Sequence, residues 1–333
     1  MSDAAASPTL PSCGVRIGIS GWRYPPWRGV FYPEGLAQHR ELAYASRAFN
    51  TIEINGSFYG LLRPKDYLAW VADTPDDFLF SVKAPRYITH IRRLADPRGP
   101  IANFLASGVL ALGPKLGPML WQLPPSLHYE PDVVEDFLAF LPHHTDGALT
   151  LARDHDPFMA GRTALDVTHR GVLHHVMEVR HASFACREFV EQLRRHRVAL
   201  VVADTAGKWP LIEEPTSDVM YLRLHGDKEL YASGYDDEAL DAWAERIRVW
   251  HAGGQVDDAR QASGLPPLRA VGRLVCCHFD NDIKVRAPFD AARLMKRLGL
   301  PSPLSAEGDR FDIPGFEARP RKAPVKKRKA PEE

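Results

Sequence analysis

The chain has 333 residues, 45% apolar and 25% charged, and its Lys and Arg balance its Asp and Glu to a formal net charge of zero. That composition can build and solvate one large α/β domain or two ordinary ones, and no apolar run reaches the roughly 20 residues of a membrane span. Residues 1–13 lack a basic segment followed by an apolar stretch, so no signal peptide is expected, and their Ala and Pro content reads as a flexible tail. Cys13, Cys186, Cys276 and Cys277 form no CxxC pair and no spaced framework, which points to a reducing, cytoplasmic setting.

Strand and helix patterns then alternate along the chain. The expected strands are Val15 to Ser20, Thr51 to Asn55, Phe78 to Val82, Pro118 to Leu123, His174 to Arg180, Val198 to Ala203, Val219 to Leu224 and Leu274 to Phe279. Helical spacing is expected at 35–49, 64–72, 100–112, 131–141, 186–196, 236–250 and 287–298, with Pro64 at a first helical turn. Residues 142–171 read as an extra helix with loops, 207–218 as a loop too short for a good helix, and 253–270 as a mobile polar insertion. Eight strands alternating with helices are the count of a (β/α)8 TIM-type barrel, irregular between strands 6 and 7. An open doubly wound sheet alternates too, but the chain has no GxGxxG and no P-loop. The expected organisation is a flexible tail over 1–13, one barrel over 14–300 and a disordered tail over 301–333. Residues 317–333 of that tail carry seven Lys or Arg against three Glu.

In a barrel, function gathers where the strands end at their C-terminal side. Those ends offer Trp22; Glu53 and Asn55; Lys83 and Arg86; Gln122; Glu178, Arg180 and His181; Asp204; Arg223 and His225; and His278, Asp280 and Asp282. Glu53/Asn55, Glu178/Arg180, Arg223/His225 and His278/Asp280 lie two apart, so each pair points to one face. Four such pairs describe a polar barrel mouth. Glu53, Glu178, His225 and Asp204 are the catalytic candidates, since acid–base work needs groups of these types. Asn55, Lys83, Arg86, Gln122, Arg180, His181, Arg223, Asp280 and Trp22 are the ligand-binding candidates, with Trp27, Phe58 and Tyr59 as a further flat apolar wall.

A bland reading stands beside each. Glu53 equally suits an ion pair with Lys83 or Arg223, and Lys83 suits a structural ammonium better than a Schiff base. His225 reads as a general base, a metal ligand or a hydrogen-bonded histidine beside a glycine turn. Asp204 also suits a turn cap, His278 a deeper structural place, and His90 and His181 exposed loops. The carboxylates with His225 could hold a divalent ion, but Lys83, Arg86, Arg180 and Arg223 in the same mouth favour an anionic or polyhydroxylated ligand over a metal.

Gly18-Ile19-Ser20-Gly21-Trp22-Arg23-Tyr24-Pro25-Pro26-Trp27, Thr51 to Tyr59, Phe80 to His90, Trp121-Gln122-Leu123-Pro124-Pro125, Glu178 to Phe184, Ala203-Asp204-Thr205, Tyr221 to Gly226 and Phe279 to Asp282 together resemble the DUF72 (YecE-like) family, in the family's order. The resemblance runs from about Val15 to Leu298. It implies a TIM barrel and assigns no reaction. The expectation is an enzyme of hydrolase, lyase or isomerase type acting on a small anionic or sugar-like compound at the barrel mouth. The alternative is a non-catalytic module that contacts nucleic acid or a protein partner through the basic tail.

Overall fold

A computed structural model describes residues 14–316, so the expectations for 1–13 and 317–333 lie outside the described residues. Eight parallel strands close into a barrel in chain order, β8 pairing back onto β1. They are β1 (Val15–Ser20), β2 (Thr51–Ile54), β3 (Leu79–Lys83), β4 (Leu116–Gln122), β5 (His175–Glu178), β6 (Ala199–Asp204), β7 (Val219–Leu224) and β8 (Leu274–Phe279). The helices outside them are α1 (Glu41–Ala48), α2 (Gly56–Tyr59), α3 (Pro64–Asp73), α4 (Arg98–Ala106), α5 (Pro131–Ala139), α6 (Thr145–Ala152), α7 (Arg187–Arg195), α8 (Asp237–His251) and α9 (Arg286–Arg297). No helix among the described residues is long and apolar enough to cross a membrane.

Strand parity divides the core in two. Ile17, Ile19, Ile52, Ile54, Phe80, Val82, Val202, Leu222 and Cys277 point outward and pack beneath the helices. Leu79, Leu120, Val176, Ala199, Val201, Val219, Tyr221, Leu274 and Cys276 point inward and fill the lower barrel. Higher on the inward face the residues turn polar: Ser20, Glu53, Ser81, Gln122, Glu178, Arg223 and His278 are all buried. The barrel is therefore a plugged cylinder whose apolar floor carries a charged layer.

The structure shifts several sequence boundaries. The strand read to Asn55 ends at Ile54, and the chain turns at once into the short α2, because Asn55 already takes a helical φ of −97°. β5 likewise ends at Glu178, two residues short of Arg180. Between β6 and β7 there is no helix, and Glu213 and Glu214 instead hold the 253–270 insertion. Arg260 N donates to Glu213 Oε2 at 3.1 Å, and Ala262 N and Ser263 N donate to Glu214 Oε2 at 3.0 and 3.1 Å. The buried Arg273 closes the insertion's base through Gly254 O at 2.8 Å. The segment expected to be mobile is thus tied down by carboxylates that accept its backbone N–H groups. Residues 301–316, read as the start of the tail, fold back on the barrel wall: Phe311 meets Phe31 with ring centroids 4.9 Å apart, and Phe316 meets Tyr44 at 5.3 Å.

Candidate functional site

One guanidinium organises the charged layer. Arg223, at the upper end of β7, donates to both oxygens of Glu53 on β2, from Nε at 3.1 Å and from Nη2 at 2.9 Å. Its Nη1 donates to Glu178 Oε2 on β5 at 2.8 Å, and its Nη2 to Asp280 Oδ2 just after β8 at 2.8 Å. Glu53 is completed by Ser20 Oγ and by the Tyr221 hydroxyl, each donating at 2.7 Å. Glu178 is completed by Arg180 Nε at 2.6 Å, and Arg180 in turn donates to Gln122 Oε1 and lies 3.8 Å from the Trp209 ring centroid. Burial by itself would raise the Glu53 and Glu178 carboxyls. The cations outweigh it, Arg223 at Glu53 and Arg180 with Arg223 at Glu178, and hold both below the ordinary range. Asp280 is held down in the same way, chiefly by Arg223 against its own burial.

Above this layer opens a cavity of about 840 Å³, lined by Trp22, Arg23, Tyr24, Asn55, Phe58, Tyr59, Lys83, Arg86, His90, Gln122, Arg180, Arg223, Tyr231, Asp280 and Asp282 among others. A site of this size suits a small molecule. Its charges fall into two groups. Arg223, Arg180 and Asp280 are committed to the layer below. The side chains of Arg23, Lys83 and Arg86 make no ion pair and no hydrogen bond with the described residues, and Lys83 Nζ lies only over the Phe58 ring, 4.3 Å from its centroid. Asn55 donates to Ser20 Oγ at 2.9 Å, while its buried Oδ1 accepts nothing. Asp282 titrates at about 6, raised by burial and then by the Asp280 charge. Lys83 is lowered to about 8 by burial and then by Arg223, against the pull of Glu53, Glu178 and Asp280.

The sequence candidates therefore separate. Trp22, Asn55, Lys83, Arg86, Gln122, Arg180, Arg223 and Asp280 line the cavity. Glu53 and Glu178 point the same way but end beneath the lining, fully buried. His225 is buried as well, with Nδ1 3.1 Å from Asp280 and Nε2 3.4 Å from Arg223. A guanidinium has only donors to offer, so Nε2 faces it as the acceptor and the proton belongs on Nδ1. Asp204 stands apart because the inward residues of β6 are 199, 201 and 203; one position out of phase, it instead accepts from the Tyr235 hydroxyl at 3.0 Å. His181 caps a short helical turn through Ser183 N at 3.2 Å and is not part of the lining. Trp27 is buried in the wall against Tyr24.

Asp282 and His90 are lining residues that the candidate set lacks. Asp282 carried a signal, since it extends the 278, 280 parity by one step. His90 read as an exposed loop residue, yet it packs edge-on to Phe58 at 5.0 Å and is lowered to about 4, by burial and then by Lys83. Tyr24 and Tyr231 reach the cavity from loops, where no periodicity announces them. Among the described residues no three His, Cys, Asp or Glu side chains converge as a metal ligand set.

A closed eight-stranded parallel barrel with helices outside and a charged mouth at the strands' C-terminal ends is a TIM-type α/β barrel protein. Within that class the chain belongs to the family described as "Protein of unknown function DUF72", whose model matches residues 16–309. It is 26% identical to the UPF0759 protein YecE of Escherichia coli K12 over 239 residues, which are 71% of this chain and 82% of that one. It is 29% identical to the UPF0759 protein YunF of Bacillus subtilis over 116 residues, 33% of this chain and 40% of that one. Among solved structures, a DUF72 family protein of Thermotoga maritima superposes with a TM-score of 0.63 at 23% identity, covering 86% of this chain and 99% of the other. A DUF72 family protein of Enterococcus faecalis gives 0.60 at 15% identity, covering 86% and 96%. These likenesses carry the fold and assign no activity.

Proposed function

We propose that the protein is an enzyme of hydrolase, lyase or isomerase type that acts on a small anionic or sugar-like compound at the barrel mouth. The observation that carries this reading is the set of uncommitted cations. Arg23, Lys83 and Arg86 line the cavity without a carboxylate partner, while the acidic side chains of the layer beneath are already satisfied. A guanidinium free of partners offers a carboxylate or phosphate two parallel donors. Asn55 Oδ1 is left to accept from a ligand hydroxyl, and Phe58 with Trp22 supplies an apolar wall. Asp282 takes the acid–base role, because a carboxyl titrating near 6 changes charge close to neutral pH. Glu53 and Glu178 act from below as positioning residues that fix Arg223 and Arg180.

Thermal-shift titration with inorganic phosphate, gluconate and a hexose phosphate tests the reading. At least one should raise Tm, and Arg86→Ala, an exposed residue with no partner, should melt like the parent and lose most of that rise. An equal response in the parent and in Arg86→Ala, or none from any anion, overturns it.

A further inference from the structure

We propose that Lys83 is a nucleophilic amine that condenses with a carbonyl group of the compound bound in the mouth to form a protonated Schiff base. This rests on the reading that the mouth takes a small anion and narrows its substrate to an anion bearing an aldehyde or ketone. Lys83 is the last residue of β3, its backbone fixed by Ser57 Oγ donating to its carbonyl at 2.6 Å, and its side chain lines the cavity.

Its surroundings do not suit a structural ammonium. The carboxylates whose charge acts on Nζ are occupied: Glu53 by Arg223, Ser20 and Tyr221; Glu178 by Arg180 and Arg223; Asp280 by Arg223. Asp282 lines the same cavity and makes no ion pair with the described residues. None lies within ion-pair distance of Nζ. Lys115, by contrast, is buried and donates to Val71 O, Thr74 O and Thr74 Oγ1, which is how a structural lysine is satisfied. Lys65, Lys208, Lys228, Lys284 and Lys296 are exposed. Among the described lysines only Lys83 is half-buried, unpaired and directed into a cavity. The Phe58 face stabilises its cation without accepting a proton from it.

The chemistry balances within this site. The neutral amine attacks the carbonyl carbon, forming a C–N bond while the C=O π pair moves to oxygen. One proton passes from nitrogen to that oxygen, and a second comes from the Asp282 acid. Water then leaves and the nitrogen lone pair forms C=N. The product keeps the single positive charge of the ammonium, so Phe58 and the carboxylate layer stabilise it equally. The iminium draws electrons from the adjacent carbon, which suits lyase or isomerase chemistry.

Pyridoxal 5′-phosphate with borohydride reduction, read by peptide mapping of the full chain, tests this. Its alcohol, pyridoxine 5′-phosphate, presents the same anion without the carbonyl. An amine titrating near 8 is neutral roughly three hundred times more often at pH 7 than one at the usual 10.5. Lower basicity weakens the nucleophile, so Lys83 should label about tenfold faster than any exposed lysine. Its rate should level off above pH 8 while theirs goes on rising, and the alcohol should block it. Lys83→Arg should lose that adduct and keep stabilisation by the alcohol. If the alcohol stabilises the parent but Lys83 labels no faster than surface lysines, the Schiff base is overturned and the anion site stands. If the alcohol neither stabilises nor protects and labelling is unselective, both are overturned.

Discussion

Replacing Arg223 with Met removes the guanidinium but keeps an unbranched chain of similar shape. Glu53 and Glu178, both 0% exposed, and Asp280 would each lose a charged donor at 2.8–3.1 Å. Breaking a buried pair from one side costs about 3–5 kcal/mol, because it strands the remaining charge. At roughly 2 °C per kcal/mol for a large domain, Tm at pH 7 should fall by about 6–10 °C. The sign of the pH dependence tests the cause. In the parent the three carboxyls titrate below their ordinary range, so their contribution is present above about pH 4 and is lost as pH falls further. In the variant, burial without Arg223 raises Glu53 above that range while Arg180 still holds Glu178 down, so the variant is relieved as pH falls and Glu53 takes a proton. One carboxyl protonating between pH 7 and 5 recovers about 3 kcal/mol. Urea unfolding followed by circular dichroism at both values should show the gap between the proteins narrowing by about that much. A gap of the same size at both pH values would mean that Arg223 acts through packing alone.

Asp282→Asn should raise Tm at pH 7.5 and have no effect below about pH 3.5. A carboxyl raised from 3.8 to about 6 by folding disfavours the native state progressively as pH climbs between those values, fully above 6, and the amide escapes it; a gain that persists at pH 3 would point to packing. Lys115→Met leaves the Val71 and Thr74 carbonyls without their donor and should cost about 1–3 kcal/mol in urea unfolding, with an unchanged midpoint showing that water takes over the bonds. Removing residues 317–333 should leave anion-induced stabilisation intact and abolish any salt-sensitive retention on a DNA column. Equal retention of the short and full chains rules out the basic tail as a nucleic-acid contact.

Much of the site was legible because parity within a strand is local. Spacing alone reads Glu53 with Asn55, Arg223 with His225 and His278 with Asp280 as sharing a face, although the second member of each pair stands just past its strand. Height was not legible. Glu53 and Lys83 are both inward, strand-end residues, yet β2 stops one residue after Glu53 while Lys83 closes β3, so one lies beneath the lining and the other in it. Asp204 fails for a related reason: an acidic residue at a strand end looks like a mouth residue until the phase of its own strand is known.

The chain by itself determined the barrel. Eight buried runs with helices between them admit few other closed arrangements, and the strand tips announced their polarity. Only closure decided which charges neutralise one another. Arg223 lies 170 residues from Glu53 and 45 from Glu178, and it meets them because closure of the barrel turns the inward faces of β2, β5 and β7 toward one interior. Coulomb energy in a buried layer depends on those distances, which no local pattern encodes. Once Arg223 takes the carboxylates, Lys83 is left without one, and the mouth keeps the unpaired charge on which its proposed chemistry depends.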